Sequence, residues 1–238
     1  MNSPKNIDHR YVVVKIDSLE LEGNLSIPEG VNGIVVFVHG SGSSRNSPRN
    51  IYVAEVLQDV GLGTLLFDLL TFDEEQEDMI TRRLRFDIDL LASRTISTVD
   101  WLHKQPYAAG KKIGLFGSST GAAAALIAAA TRPDIVQAVV SRGGRPDLAG
   151  RALPRVHAAA LLIVGGNDRE VISLNEQALD NMRQHPEKRI VIVPGASHLF
   201  EEQGALERVA LLAGNFFRRY LSVDVDVMVD RDSGEEFE

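Results

Sequence analysis

The chain has no cysteine, a single tryptophan, and no apolar run long enough to span a membrane. The first absence excludes disulfides, thiolate metal sites and a thiol nucleophile, and leaves the compartment open. The longest uninterrupted apolar stretch, 122–130, has nine residues, where a span needs about 20. It reads as a buried helix, and no membrane partner is expected. The N-terminal MNSPKNIDHR lacks the basic-then-apolar build of a secretory signal, so a cytoplasmic location is expected. A surplus of cations is missing as well: 25 Lys and Arg stand against 33 Asp and Glu, for a net charge of −8. Residues 222–238 hold seven acids and one arginine, so they carry −6 and leave 1–221 nearly neutral. Without clustered basic residues to displace counterions from phosphates, nucleic acid is excluded as a partner. No GxxxxGK[ST] phosphate loop and no histidine pair at zinc-ligand spacing occur, so neither cofactor nor metal is expected.

What is present suffices for one full core, since 44% of 238 residues are hydrophobic. The expected division is a domain at 1–221 and an acidic tail at 222–238. Within the tail, 223–229 (VDVDVMV) alternates strictly and fits either an added edge strand, across a dimer included, or a solvated segment. Monomer and homodimer both stay open. Residues 11–16 and 19–27 alternate apolar with polar, which predicts an antiparallel hairpin at a sheet edge. Fully apolar strand candidates follow at 34–38, 64–69, 113–116, 138–141, 161–164 and 190–193. Helical stretches near 50–60, 86–105, 120–131, 171–184 and 205–220 separate them. Such alternation predicts an α/β fold with a mainly parallel, doubly wound sheet covered on both faces. The connection at 142–158 is too short for a helical cap, so little or no cap domain and an open cleft are expected. Residues 70–85 hold an acidic run before Arg82, Arg83 and Arg85, and read as a flap or as the first turns of a helix.

The chemistry sits at the carboxyl ends of the predicted strands. Gly117-Ser118-Ser119-Thr120-Gly121 lies between an apolar strand and an alanine-rich helix, the setting that gives a GxSxG pattern its meaning. Glycine is needed at both ends of so sharp a turn, and only Ser119 has glycine two residues away on each side. A serine hydroxyl needs a base, and the base needs an orienting acid. Asp168 follows the strand at 161–164, and His198 follows the strand at 190–193, in the chain order Ser, Asp, His that a nucleophile elbow uses. Asp168 could alternatively cap the next helix, a role for which Ser173 is also available. His157 and His185 precede strands rather than follow them, which favours His198 as the base. The oxyanion of an acyl-transfer intermediate would be held by the N–H of Thr120 and that of Ser41, in the loop after the strand at 34–38. His39 either shapes that loop or touches substrate. Arg45, Arg142 and Arg145 stand near the same edge, as forks for a substrate carboxylate or as salt bridges to Asp147 or to acids near Glu75.

On HGSGSS at 39–44, GSSTGA at 117–122, GGNDR at 165–169 and GASHLF at 195–200, the chain resembles an α/β-hydrolase of the dienelactone hydrolase-like group. The resemblance covers roughly 12–221. Through SRGGRPDLAG at 141–150 it is also similar to hydrolase domains found fused to phosphoribosyltransferases, although no such partner is expected within these residues. Dienelactone hydrolases proper use cysteine as nucleophile; serine at 119 points away from that particular substrate. The resemblance implies an uncapped serine hydrolase for small carboxylesters or lactones, with an anionic group on the substrate as one option. An acyltransferase or thioesterase on the same triad, or a non-catalytic ligand-binding homologue, are the alternatives.

Overall fold

The alternation of apolar and polar residues at 11–16 and 19–27 produces a hairpin. In the computed structural model, which describes residues 6–182 and 187–222, β1 (Ile7–Ile16) and β2 (Leu19–Pro28) pair antiparallel, with Ile16 opposite Leu19. Asp17 takes the reversal at φ 51°, a left-handed conformation that aspartate tolerates better than most residues. Six further strands follow: β3 (Gly33–Val38), β4 (Gly63–Phe67), β5 (Lys112–Ser118), β6 (Val136–Arg142), β7 (Ala159–Gly165) and β8 (Lys188–Val193). They form one sheet in the order β1-β2-β4-β3-β5-β6-β7-β8. Strand β2 joins β4 antiparallel, and every pairing from β4 to β8 is parallel. From β3 the chain crosses first to β4 and then back past β3 to β5. The carboxyl ends of β3 and β5 therefore border the crevice where an open α/β sheet places its ligand.

The apolar runs are continuous because the parallel strands are covered on both faces. Ile34, Val36 and Val38 of β3 point into one core with α3 (Ile88–His103), α4 (Thr120–Thr131) and α5 (Arg169–Asn181). Val35 and Phe37 point into the other, with α1 (Pro48–Asp59) and α6 (Ala205–Leu221). Phe217 of α6 is fully buried against Gly114 of β5, where an added Cβ would lie 2.7 Å from its ring. That one side chain contributes about 1.5–3 kcal/mol of hydrophobic burial.

Three local expectations are refined. Residues 70–85 contain a separate helix, α2 (Phe72–Thr81), opened by a reciprocal capping box between Thr71 and Glu74 and closed by Arg82 at φ 54°. Residues 142–158 form no cap: Pro146–Arg155 is a short 3-10 segment broken at Gly150, packed on α4 and α5. Helix α5 begins at Arg169, so Ser173 lies inside it and does not cap it. His185 and the tail from 223 onward, with its alternating 223–229, lie outside the described residues. Among the described residues no helix is long and apolar enough to cross a membrane.

Candidate active site

Ser119 stands at the junction of β5 and α4 with φ 49° and ψ −123°, a conformation that L-residues avoid at a cost of about 1–3 kcal/mol. The surroundings enforce it. The Arg145 and Ala122 amides donate to the Ser119 carbonyl at 3.0 and 3.1 Å, and the Ser119 amide reaches the Arg142 carbonyl at 3.4 Å. The flanking glycines are demanded by crowding: a Cβ on Gly121 would stand 2.2 Å from the Val38 carbonyl oxygen, and one on Gly117 2.5 Å from Ala122 Cα. Helix α4 starts directly behind the serine, so its free N–H groups and positive dipole end face the hydroxyl.

Two loops bring the acid and the histidine together. Asp168 occupies the position before α5, yet its side chain caps nothing; its Oδ2 accepts from His198 Nδ1 at 2.6 Å. The capping alternative thus yields to the ion-pair geometry. A proton held on Nδ1 by that carboxylate leaves Nε2 as the basic nitrogen. The two loops are laced by Gly166 N–H to Val193 O at 2.8 Å, Asn167 N–H to Ala196 O at 3.0 Å, and Asn167 Nδ2 to Gly195 O at 2.8 Å. Buried Phe200, at φ 56°, anchors the far side of the histidine loop. Gly143 lets that loop approach, since a Cβ there would lie 2.9 Å from the His198 carbonyl oxygen.

Ser119 and His198 line one cleft of about 250 Å³ together with Ser41, Ser43, Arg49, Arg142 and Leu199. Among the described residues no hydrogen bond joins Ser119 Oγ to the imidazole, a contact that often tightens only when substrate is bound. The loop after β3 lies on the elbow, with the Gly40 Cβ position 3.0 Å from Ser119 Cβ. Its turn is closed by Ser43 N–H to Gly40 O at 3.2 Å, whereas the Ser41 and Thr120 amides donate to no described atom. Both remain available to an oxyanion.

Three of the candidate substrate contacts have partners within the protein. His39 is buried, with Nδ1 donating to Gly40 O at 3.0 Å and Nε2 accepting from Leu69 N–H at 3.1 Å. Burial pushes its pKa below the usual imidazole value, so it pins two loops as a neutral ring and has no nitrogen left for substrate. Arg45 pairs with Asp68 and, at 2.5 Å, with Glu22. Arg145 forks onto Asp147 at 2.9 and 2.8 Å. Arg142 alone of the proposed cations enters the cleft. Arg49, which also lines it, escaped the sequence reading. The available signal was a basic residue after proline in the first turn of α1, where the dipole disfavours positive charge. Among the described residues no group of three or more His, Asp and Glu side chains converges as a metal-binding cluster.

Comparison with known proteins gives concordant matches. The profile described as the dienelactone hydrolase family matches residues 21–220. The crystal structure of a dienelactone hydrolase from Anabaena variabilis is 60% identical, with a TM-score of 0.88 over 90% of this chain and 99% of that one. A dienelactone hydrolase-like promiscuous phosphotriesterase from metagenomic libraries, 19% identical, shares the fold with a TM-score of 0.74 over 91% of this chain and 99% of its own. A Mycobacterium tuberculosis protein provisionally named a phosphoribosyl transferase, known from strains CDC 1551 and H37Rv, is 54% identical over 211 residues, or 88% of this chain. The chain spans about half the length of these curated relatives, 46%.

Proposed function

The chain belongs to the dienelactone hydrolase family, and on that premise we propose that it cleaves small carboxylesters or lactones through Ser119, His198 and Asp168. The observation that carries the reading is the Asp168–His198 contact of 2.6 Å, opening on the cleft into which the strained Ser119 projects. In the first step Ser119 Oγ attacks the ester carbonyl while His198 Nε2 takes its proton. The Ser41 and Thr120 amides receive the negative oxygen of the tetrahedral intermediate, in a site where such donors need no reorganisation. Collapse expels the alcohol, protonated by His198, and leaves an acyl-serine. Water, deprotonated by the same imidazole, attacks that acyl group, and the acid departs with serine restored. Asp168 holds the tautomer and stabilises the imidazolium throughout.

The small, uncapped cleft supports short substrates, because nothing shelters a long acyl chain. The test is turnover of p-nitrophenyl acetate and a lactone panel, combined with fluorophosphonate labelling of Ser119. Ser119→Ala should lose about 10⁴-fold or more in kcat with an unchanged melting temperature. A variant that keeps near-wild-type turnover rejects the assignment. Product partitioning on addition of an acceptor alcohol would reassign the same triad to acyl transfer.

A further inference from the structure

Among the described residues, buried Arg94 and half-buried Arg85 and Arg45 are neutralised by carboxylates, and buried Arg142 is not. Arg94 pairs with Glu74, Arg85 with Asp78, and Arg45 with Asp68 and Glu22. Arg142 has no such partner: it is 8% exposed, and its Nε and Nη1 are sealed from solvent without a hydrogen bond. Arg49, across the same cleft, has its Nε sealed and unpartnered too, and reaches only Glu201 at 3.4 Å, a largely exposed pair of little strength. Burial, and then the nearby Arg49 charge, lower the Arg142 pKa to about 10, which still leaves it protonated at neutral pH. An unpaired buried charge is costly, and two that repel one another are more so. Helix α1 adds to the imbalance, because its first turn has no acid and places Arg49 directly after Pro48.

We propose that Arg142 and Arg49 receive a phosphate monoester group carried by the ester substrate, beside the Ser119 hydroxyl. A carboxylate brings one charge and two oxygens, which a single guanidinium fork satisfies. Here two guanidinium groups line one cleft, three of their nitrogens have no hydrogen-bond partner, and Ser41 and Ser43 line the same cleft. That set matches a dianion with three terminal oxygens. The phosphate is a handle that does not react; Ser119 attacks the carboxyl ester elsewhere in the molecule. The substrate assignment rests on the hydrolase reading, whereas phosphate binding does not.

The experiment therefore measures binding directly. Inorganic phosphate and phenyl phosphate are titrated calorimetrically into wild-type protein and into Ser119→Ala, with acetate and succinate as carboxylate comparisons. Both phosphates should bind each protein and compete with p-nitrophenyl acetate. Arg142→Gln and Arg49→Gln should each weaken binding by at least about tenfold. Arg142→Lys keeps the charge and loses the fork, so it should restore only part, and it covers the case in which the glutamine variant fails to fold. The proposal is overturned if neither phosphate binds, if the carboxylates bind as well, or if folded Arg142 variants bind like wild type. Absence of esterase turnover with phosphate binding intact would instead reject the hydrolase reading alone.

Discussion

The loops after β5, β7 and β8 and the segment 71–87 both stand at the carboxyl end of the sheet, and they are fixed by different forces. The first set is tied by backbone hydrogen bonds, Asn167 N–H to Ala196 O at 3.0 Å between the loops after β7 and β8, and Arg145 N–H to Ser119 O at 3.0 Å from the loop after β6 to the elbow. The second rests on side-chain charge: Glu74 with Arg94, and Asp78 with Arg85 and the amides of Leu84 and Arg85. Helix α2 buries only Asp78 and leaves Phe72 and Ile80 at 78% and 86% exposure. A strained residue such as Ser119 persists only where surrounding contacts over-determine it. A helix with so little packing belongs to the low-stability end of the molecule, where local opening is cheap.

The sharpest way to separate the two regions is Asp168→Asn. It keeps the loops in place and presents the wrong imidazole tautomer, so kcat should fall about 10⁴-fold at nearly constant melting temperature. A loss of tenfold or less, as an order of magnitude, would remove Asp168 from the mechanism. Gly121→Ala attacks the rigid region itself: its Cβ would meet the Val38 carbonyl at 2.2 Å, and unfolding in urea should show about 1–3 kcal/mol lost. An unshifted midpoint would mean that the elbow yields easily.

His39→Gln probes the same scaffold through pH. Because burial depresses the pKa of His39 in the folded state, the unfolded chain protonates first as pH drops below the ordinary imidazole value of about 6.5. Its contribution is therefore complete above that pH and is lost on acidification from 6.5 through the lower folded value. Melting temperatures of wild type and variant between pH 7.5 and 5 should converge as pH falls. Parallel curves would show that His39 titrates normally.

Asp78→Asn should have the smallest global effect, below about 1 kcal/mol, because α2 packs against little else. Hydrogen exchange at 72–87 should nevertheless accelerate about tenfold while β5 to β8 stay protected. Acceleration across the sheet would show that α2 is part of the cooperative core.

Much of the site was legible because its requirements are local. The glycines around Ser119 follow from a turn with no room for Cβ atoms, and the order of Asp168 and His198 follows from strands that end on one edge. The segment of helix α2 fits flap and helix alike in the sequence, because six acidic and amide side chains at 73–78 resemble a solvated stretch. The Thr71-x-x-Glu74 capping signal was present and outweighs that impression.

By itself the sequence determined the hairpin, the parallel sheet and the placement of Ser119, Asp168 and His198, because periodicity and turn sterics act over a few neighbouring residues. Only the tertiary structure decided which arginine shares the cleft of Ser119 without a counter-charge. Arg45 meets Glu22 and Asp68, partners about twenty residues away in each direction, whereas Arg142 meets none. Ion pairing depends on distances of a few ångströms in space, and spacing along the chain carries no record of them.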